Sequence, residues 1–151
     1  MFRSIKVRDY MNREAVTLSP ETHLFQAIDI LLTNRLCSAP VVDASGSLVG
    51  VLSESDCLRG ILSGAYFEES CGTVRSLMSE VVETIDADAD ILKVAEHFVT
   101  HRRRRLPVTE QGRLVGQISR RDLLRVLKNY NDHGAPRRKR PPRPHREAYL
   151  S

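Results

Sequence analysis

Apolar residues along this chain recur at two different spacings, and the alternation between them comes twice. In "LFQAIDILL", Leu24, Ala27, Ile28, Leu31 and Leu32 fall at helical spacing, and in "ILKVAEHFV" so do Ile91, Val94, Ala95, Phe98 and Val99. Each set predicts a helix with one core-facing stripe. Ahead of each lies a short β-branched segment, at 15–18 and at 83–85, followed by a helix-start signal. Ser19, Thr22 or His23 can precede the first helix, and Asp90 is the expected N-cap of the second. After each helix come two short apolar runs, "APVV" with "LVGVLS" and "LPVT" with "LVGQIS". Each pair flanks a Gly-containing turn and reads as a β-hairpin. A second helix, "SDCLRGILSG" or "RDLLRVLKNY", closes each copy. The predicted class is α/β in the mixed α+β sense, with the order strand–helix–strand–strand–helix stated twice.

The letters repeat as well as the pattern. "APVVDASGSLVGVLSESD" (39–56) and "LPVTEQGRLVGQISRRD" (106–122) share Pro, Val, Gly, Leu, Val, Gly, Ser and Asp in order, with one gap. "VRDYM" (7–11) answers "VRSLM" (74–78), and "TLSPETHL" (17–24) answers "TIDADADI" (84–91), at an offset of 67 that falls to 66 after the gap. Solenoid repeats run to about 20–50 residues, so this is duplication of a small domain. The expected boundaries are 1–66 and 67–131 for the repeats, and 132–151 for a tail. A unit of this size has little core of its own. Two copies packing sheet against sheet would bury both apolar faces. That gain explains a duplication, but it does not require Ser-x-x-Asp to be kept in both copies.

Composition narrows the class. The chain has 151 residues, 41% apolar and 28% charged, as in an ordinary soluble globular protein. No apolar run approaches the ~20 residues of a membrane span. The first residues, "MFRSIKVRDYM", carry no export signal, so a cytoplasmic location is expected. The net charge of +4 belongs entirely to residues 132–151, which hold six Lys/Arg and two Asp/Glu. Four of the seven prolines also fall there, so that tail is expected to be disordered. Cys37, Cys57 and Cys71 are odd in number and lack C-x-x-C spacing, which argues against a disulfide framework or a zinc site. As thiols filling apolar gaps they suit a reducing compartment.

Nothing reads as an enzyme. "SGSLVG" is a hairpin turn rather than a phosphate loop, and no nucleophile–base set or HExxH is present. Of the histidines (His23, His97, His101, His133, His145), His97 and His101 lie four apart on one helix. The sequence supplies them no evident third ligand, so they read as a solvated or half-buried pair and no metal is expected.

The repeated chemistry lies where a strand enters a helix. Ser53 and Asp56 stand there in the first copy, Ser119 and Asp122 in the second. A helix start offers unbonded N–H groups and a positive dipole end to phosphate, and the hydroxyl adds a donor. The carboxylate would repel phosphate but accepts hydrogen bonds from the two hydroxyls of a ribose. Phosphate donor plus diol acceptor describes a nucleotide. The competing reading is a capping box, Ser as N-cap answered by Asp at N3, which can coexist with ligand contact. From local sequence alone the two stand level.

These residues resemble the CBS domain family, and the tandem pair resembles a Bateman module, over about residues 5–130. The resemblance rests on both copies of [A/L]-P-V followed by L-V-G-x-[I/L]-S-x-x-D. It implies a pseudo-twofold pair of repeats that binds an adenine nucleotide (AMP, ADP or ATP) between them, dimerises, and signals to an unidentified regulated protein. It assigns Ser53 and Ser119 to phosphate, and Asp56 and Asp122 to ribose. It places Ser38, Ala39 and Pro40 along one pocket and Arg105, Leu106 and Pro107 along the other, with Thr17 and Thr84 offering backbone to the base edge. For Pro40 and Pro107, plain strand-entry punctuation is an equal reading. Arg104 and Arg105 stand where some nucleotide-binding members carry phosphate-contacting basic residues. Arg120 and Arg121 add two cations beside Ser119. The matching first-copy residues are Cys37, Ser38, Glu54 and Ser55, so phosphate charge is expected mainly at the second copy. A different class of reading is nucleic-acid or acidic-partner binding through the basic tail, with the folded pair as a structural dimer; that tail predicts weak, salt-sensitive polyanion binding.

Overall fold

The computed structural model describes residues 5–64, 67, 72–80 and 83–133. The tail beyond 133, its expected disorder and polyanion binding, and Cys71 lie outside the described residues.

Helix α1 (Leu24–Thr33) starts at His23, whose Nδ1 accepts from the Phe25 N–H at 3.3 Å; of the three candidate caps it is the one used. It leads to the hairpin of β1 (Ser38–Val42) and β2 (Leu48–Ser53), and then to α2 (Glu54–Ser63). A short helix, α3 (Val74–Leu77), and a short strand, β3 (Ile85–Asp86), come before α4 (Ile91–His101). Asp90 caps α4 as expected, Oδ1 accepting from the Lys93 N–H at 2.8 Å. The second hairpin, β4 (Arg105–Glu110) with β5 (Arg113–Ser119), runs into α5 (Arg120–His133). Its two-residue loop puts Gln111 (φ 53°) and Gly112 (φ 79°) both in the left-handed region, as a type I′ turn requires.

The leading strand is full only in the second copy, where β3 pairs parallel with β4, Ile85 opposite Val108. In the first copy the same place is a single parallel bridge, Leu18 to Val41. The strand expected at 15–18 is therefore reduced to its last residue.

The described chain forms two compact units, and they are not the contiguous repeats. One contains 5–15 with 83–133, the other 16–64 with 72–80. Each copy's leading segment thus docks on the other copy's hairpin and helices. The docking is the same bond for bond. The Val7 N–H donates to Ala89 O (2.9 Å) and the Arg8 N–H to Ala87 O (3.0 Å), while the Val74 N–H donates to Thr22 O (2.8 Å) and the Arg75 N–H to Pro20 O (2.8 Å). Arg8 pairs with Asp88 and Glu110, and Arg75 with Glu21. A methionine then covers a strand glycine. A Cβ on Gly50 would lie 2.5 Å from the Met78 sulfur, and one on Gly116 would lie 2.7 Å from the Met11 sulfur.

Each unit has its own core. Leu18, Leu24, Ala27, Leu31, Val41 and Leu52 build one; Val7, Ile91, Val94, Phe98, Val108 and Ile118 build the other. Burying each of the Val, Leu, Ile and Phe side chains among them contributes roughly 1.5–3 kcal/mol. Two residues expected on the core stripe are outside it: Leu32 is 71% and Val99 80% exposed. The stripe is narrower than the apolar run, and Ile28 and Ala95, half-buried against the cores, mark its edge.

Candidate functional site

Strand register gathers most of the expected site residues of each copy. Ser38 lies opposite Ser53 across the first hairpin, and Arg105 opposite Ser119 across the second. The carbonyl just before each first strand accepts the first helical amide, Cys37 O from the Glu54 N–H (2.9 Å) and Arg104 O from the Arg120 N–H (3.0 Å). Arg104, Arg105, Ser119, Arg120, Arg121 and Asp122 thus belong to one strand-to-helix corner, matched in the first copy by Cys37, Ser38, Ser53, Glu54, Ser55 and Asp56. Arg104, Arg120 and Arg121 are exposed, and Arg105 is half-buried. Ala39 and Leu106 are core residues, so a ligand can meet them only through the main chain. Pro40 is buried and its carbonyl accepts from the Leu18 N–H, while Pro107 is half-buried. Thr17 and Thr84 are exposed, each one residue before the Leu18 bridge or β3.

Both corners are capping boxes. Ser53 Oγ accepts from the Asp56 N–H (3.1 Å) while Asp56 Oδ2 accepts from the Ser53 N–H (2.9 Å). Ser119 and Asp122 repeat this at 3.1 and 3.0 Å. A helix start leaves four amides unbonded. Here the box takes two and the preceding carbonyl a third. Among the described residues, the amides of Ser55 and Arg121 are the ones left for an anion. Each serine hydroxyl acts as acceptor in its box and keeps its proton to donate.

The carboxylates differ in their remaining partners. Both accept from an arginine three residues on, Arg59 to Asp56 Oδ1 and Arg125 to Asp122 Oδ1. Asp56 Oδ1 accepts a further bond from the Ser79 hydroxyl at 3.0 Å. In the docked segments, Ser79 pairs with Val51 just as Asn12 pairs with Gln117. Asn12, however, turns its Oδ1 to the Glu14 N–H (3.1 Å), and its buried Nδ2 has no hydrogen-bond partner among the described residues. Accordingly the Asp56 side chain is 2% exposed and that of Asp122 is 12%. Sequence reasoning missed Arg59, Arg125 and Ser79. The arginines had a legible signal, since Ser-x-x-Asp-x-x-Arg is itself repeated.

The His97 and His101 ring centroids lie 4.4 Å apart with the rings tilted at 43°, and the Glu83 carboxylate is 3.9 and 3.7 Å away, so the pair has an acidic neighbour that spacing did not reveal. Arg103 already bonds both Glu83 oxygens, at 2.8 and 3.2 Å. Those hydrogen bonds, helped by the charges of Arg103 and the histidines, hold the Glu83 carboxyl below its ordinary range. Among the described residues, no group of three or more His, Cys, Asp or Glu side chains is arranged to hold a metal ion. No described helix is long and apolar enough to cross a membrane.

The sequence profile of the CBS domain matches residues 7–63 and again 74–129. The chain is similar to the A-adding tRNA nucleotidyltransferase of Aquifex aeolicus, 28% identical over 124 residues, covering 82% of this chain and 14% of that protein. It is also similar to the inosine-5'-monophosphate dehydrogenase of Methanocaldococcus jannaschii, 27% identical over 124 residues, covering 82% and 24%. The chain spans about a quarter or less of these relatives. The matched stretch thus occurs in proteins that carry two different enzyme names. Among solved structures, the CBS domain of a CBS domain containing membrane protein from Sphaerobacter thermophilus is 31% identical, with TM-score 0.64 and 82% and 88% of the two chains covered. CBSX2 in complex with AMP shares the fold at TM-score 0.72 and 24% identity, over 84% and 98%. So does the CBS domain pair of protein MJ0100 in complex with 5'-methylthioadenosine and S-adenosyl-L-methionine, at TM-score 0.64 and 22% identity, over 82% and 96%.

Proposed function

Because this chain belongs to the CBS domain family, we propose that it is a regulatory module that takes up an adenine nucleotide (AMP, ADP or ATP) and signals its state to a partner protein. The observation that carries the reading is the second-copy corner. There a carboxylate that can accept from a diol, Asp122, and a serine hydroxyl with a proton to donate, Ser119, share one helix start with Arg104, Arg105, Arg120 and Arg121. Charge-assisted bonds to phosphate are worth ~1.5–3 kcal/mol each, so two well-placed arginines outweigh the repulsion of one carboxylate held at the ribose end. In the first copy Glu54 adds an acidic side chain where Arg120 stands in the second. The tighter site is therefore the one at Asp122. Neighbouring folds complexed with AMP and with S-adenosyl-L-methionine support an adenosine ligand.

In this reading the protein has no catalytic step; binding, and the change it makes in the partner-facing surface, is the activity. It works as a homodimer in a reducing cytoplasm, where Cys37 and Cys57, neither in a disulfide, stay as thiols. A thermal-shift series tests it. AMP, ADP or ATP should raise the unfolding temperature, inorganic phosphate should not, and Asp122→Asn should remove most of the effect. An equal shift in Asp122→Asn would overturn the assignment.

A further inference from the structure

Asp56 and Asp122 share a sequence motif, a capping box and an arginine partner, yet they do not have the same capacity to accept. An ionised carboxylate has two oxygens with about two acceptor positions each. On Asp122, Oδ2 takes the Ser119 N–H and Oδ1 takes Arg125, which leaves one position open on each oxygen. On Asp56, Oδ2 takes the Ser53 N–H, while Oδ1 takes both Arg59 and the Ser79 hydroxyl. One position is left, on one oxygen. A vicinal diol has two donors to place, and Asp56 can receive only one of them.

The arginine is common to both copies and cannot make the difference. The residue that does is the one after the docked methionine, Ser79 in one unit and Asn12 in the other. A serine there reaches the carboxylate. The asparagine turns its Oδ1 to the Glu14 N–H, and its only side-chain donor, Nδ2, makes no hydrogen bond among the described residues, so Asp122 receives nothing from it. We infer that Ser79 and Asn12 are specificity-determining residues that set which carboxylate is open to a ribose diol: Ser79 holds Asp56 closed, and Asn12 leaves Asp122 open. This rests on the nucleotide reading, and it adds a cause unrelated to the arginines. Because each docked segment comes from the other copy, a change in one repeat's sequence would alter the site carried by the other.

The test is calorimetry with AMP on the full chain in an Asp122→Asn background, which isolates the first-copy site. Adding Ser79→Ala should tighten the remaining binding about three- to tenfold, the value of one recovered hydrogen bond. Ser79→Asn, which supplies the other copy's residue, should do the same. Both leave the main-chain pairing of residue 79 with Val51 in place, so folding is retained. In the opposite direction, Asn12→Ser alone should weaken the Asp122 site. If wild type binds AMP and neither Ser79 variant tightens the first-copy site, the inference is wrong and the nucleotide reading stands. If wild type binds none of AMP, ADP and ATP, the nucleotide reading itself falls, and the inference with it.

Discussion

Asp56 is among the few buried charged groups of the described chain, and its stability role differs from that of its counterpart. Removing it strands the Ser53 amide, the Ser79 hydroxyl and the Arg59 guanidinium together. Asp56→Ala should cost about 2–3 kcal/mol, one lost cap plus unsatisfied buried donors. Asp122→Ala loses the cap and a half-exposed arginine contact, and should cost about 1 kcal/mol. Urea unfolding of the two variants measures the difference, and equal costs would show that Ser79 does not engage Asp56. The Ser-x-x-Asp pair was fully legible in sequence, including its capping-box reading. What was not legible is how many donors each carboxylate meets, because Ser79 is 23 residues from Asp56. An arginine at i+3 also reads as ordinary solvated helix surface until the carboxylate beneath it is known to be buried.

At the scale of elements, the docked segments explain why "VRDYM" and "VRSLM" recur. Their valines enter the cores, their arginines pair with acidic side chains at the helix starts, and their methionines close over Gly50 and Gly116. A Cβ at Gly116 would also come within 2.9 Å of the Asn12 carbonyl, so backbone as well as sulfur must move. Gly50→Ala and Gly116→Ala should each destabilise by about 1–3 kcal/mol, as overpacking does. A melting temperature unchanged from wild type in either variant would contradict the docking. Glu83 offers a pH test at the end of α4. Its carboxyl is held low mainly by its hydrogen bond to Arg103, with His97 and His101 also facing it. A depressed carboxylate adds stability above its unfolded pKa and loses it as pH falls through the folded value. Wild type should therefore exceed Glu83→Gln in urea midpoint near neutral pH, and the two should converge in acid as the Glu83 carboxyl takes up its proton. A constant gap across that range would exclude the ion pairs as the cause.

For the whole molecule, the sequence repeat was readable because a hairpin, two helices and their caps return at an offset of 67 that changes by one residue at a single gap. The exchange of leading segments was not. A repeated motif establishes that two places are equivalent, but not which copy each segment packs on; that is decided by chain geometry between elements. Self-association is an expectation at this scale. Leu58 and Leu124 occupy the same place in the two copies and are both 63% exposed, with Leu62 beside the first more exposed still. Exposed apolar side chains at the same place in each unit are what a self-association surface would be expected to use. Light scattering at tens of micromolar should give twice the chain mass, and Leu58→Glu with Leu124→Glu should reduce it to one. A monomeric wild type would contradict the dimer.

In the proposed reading adenine nucleotide binds chiefly at the corner of Ser119 and Asp122. Calorimetry with AMP on wild type, Asp56→Asn and Asp122→Asn addresses it most directly. Asparagine keeps an oxygen for the capping box and removes one acceptor, so the fold is spared while the diol contact is not. Asp122→Asn should weaken the tighter site at least about tenfold, ~1.4 kcal/mol, and Asp56→Asn should leave it nearly unchanged. Equal losses in the two variants, or a larger loss from Asp56→Asn, would contradict that reading.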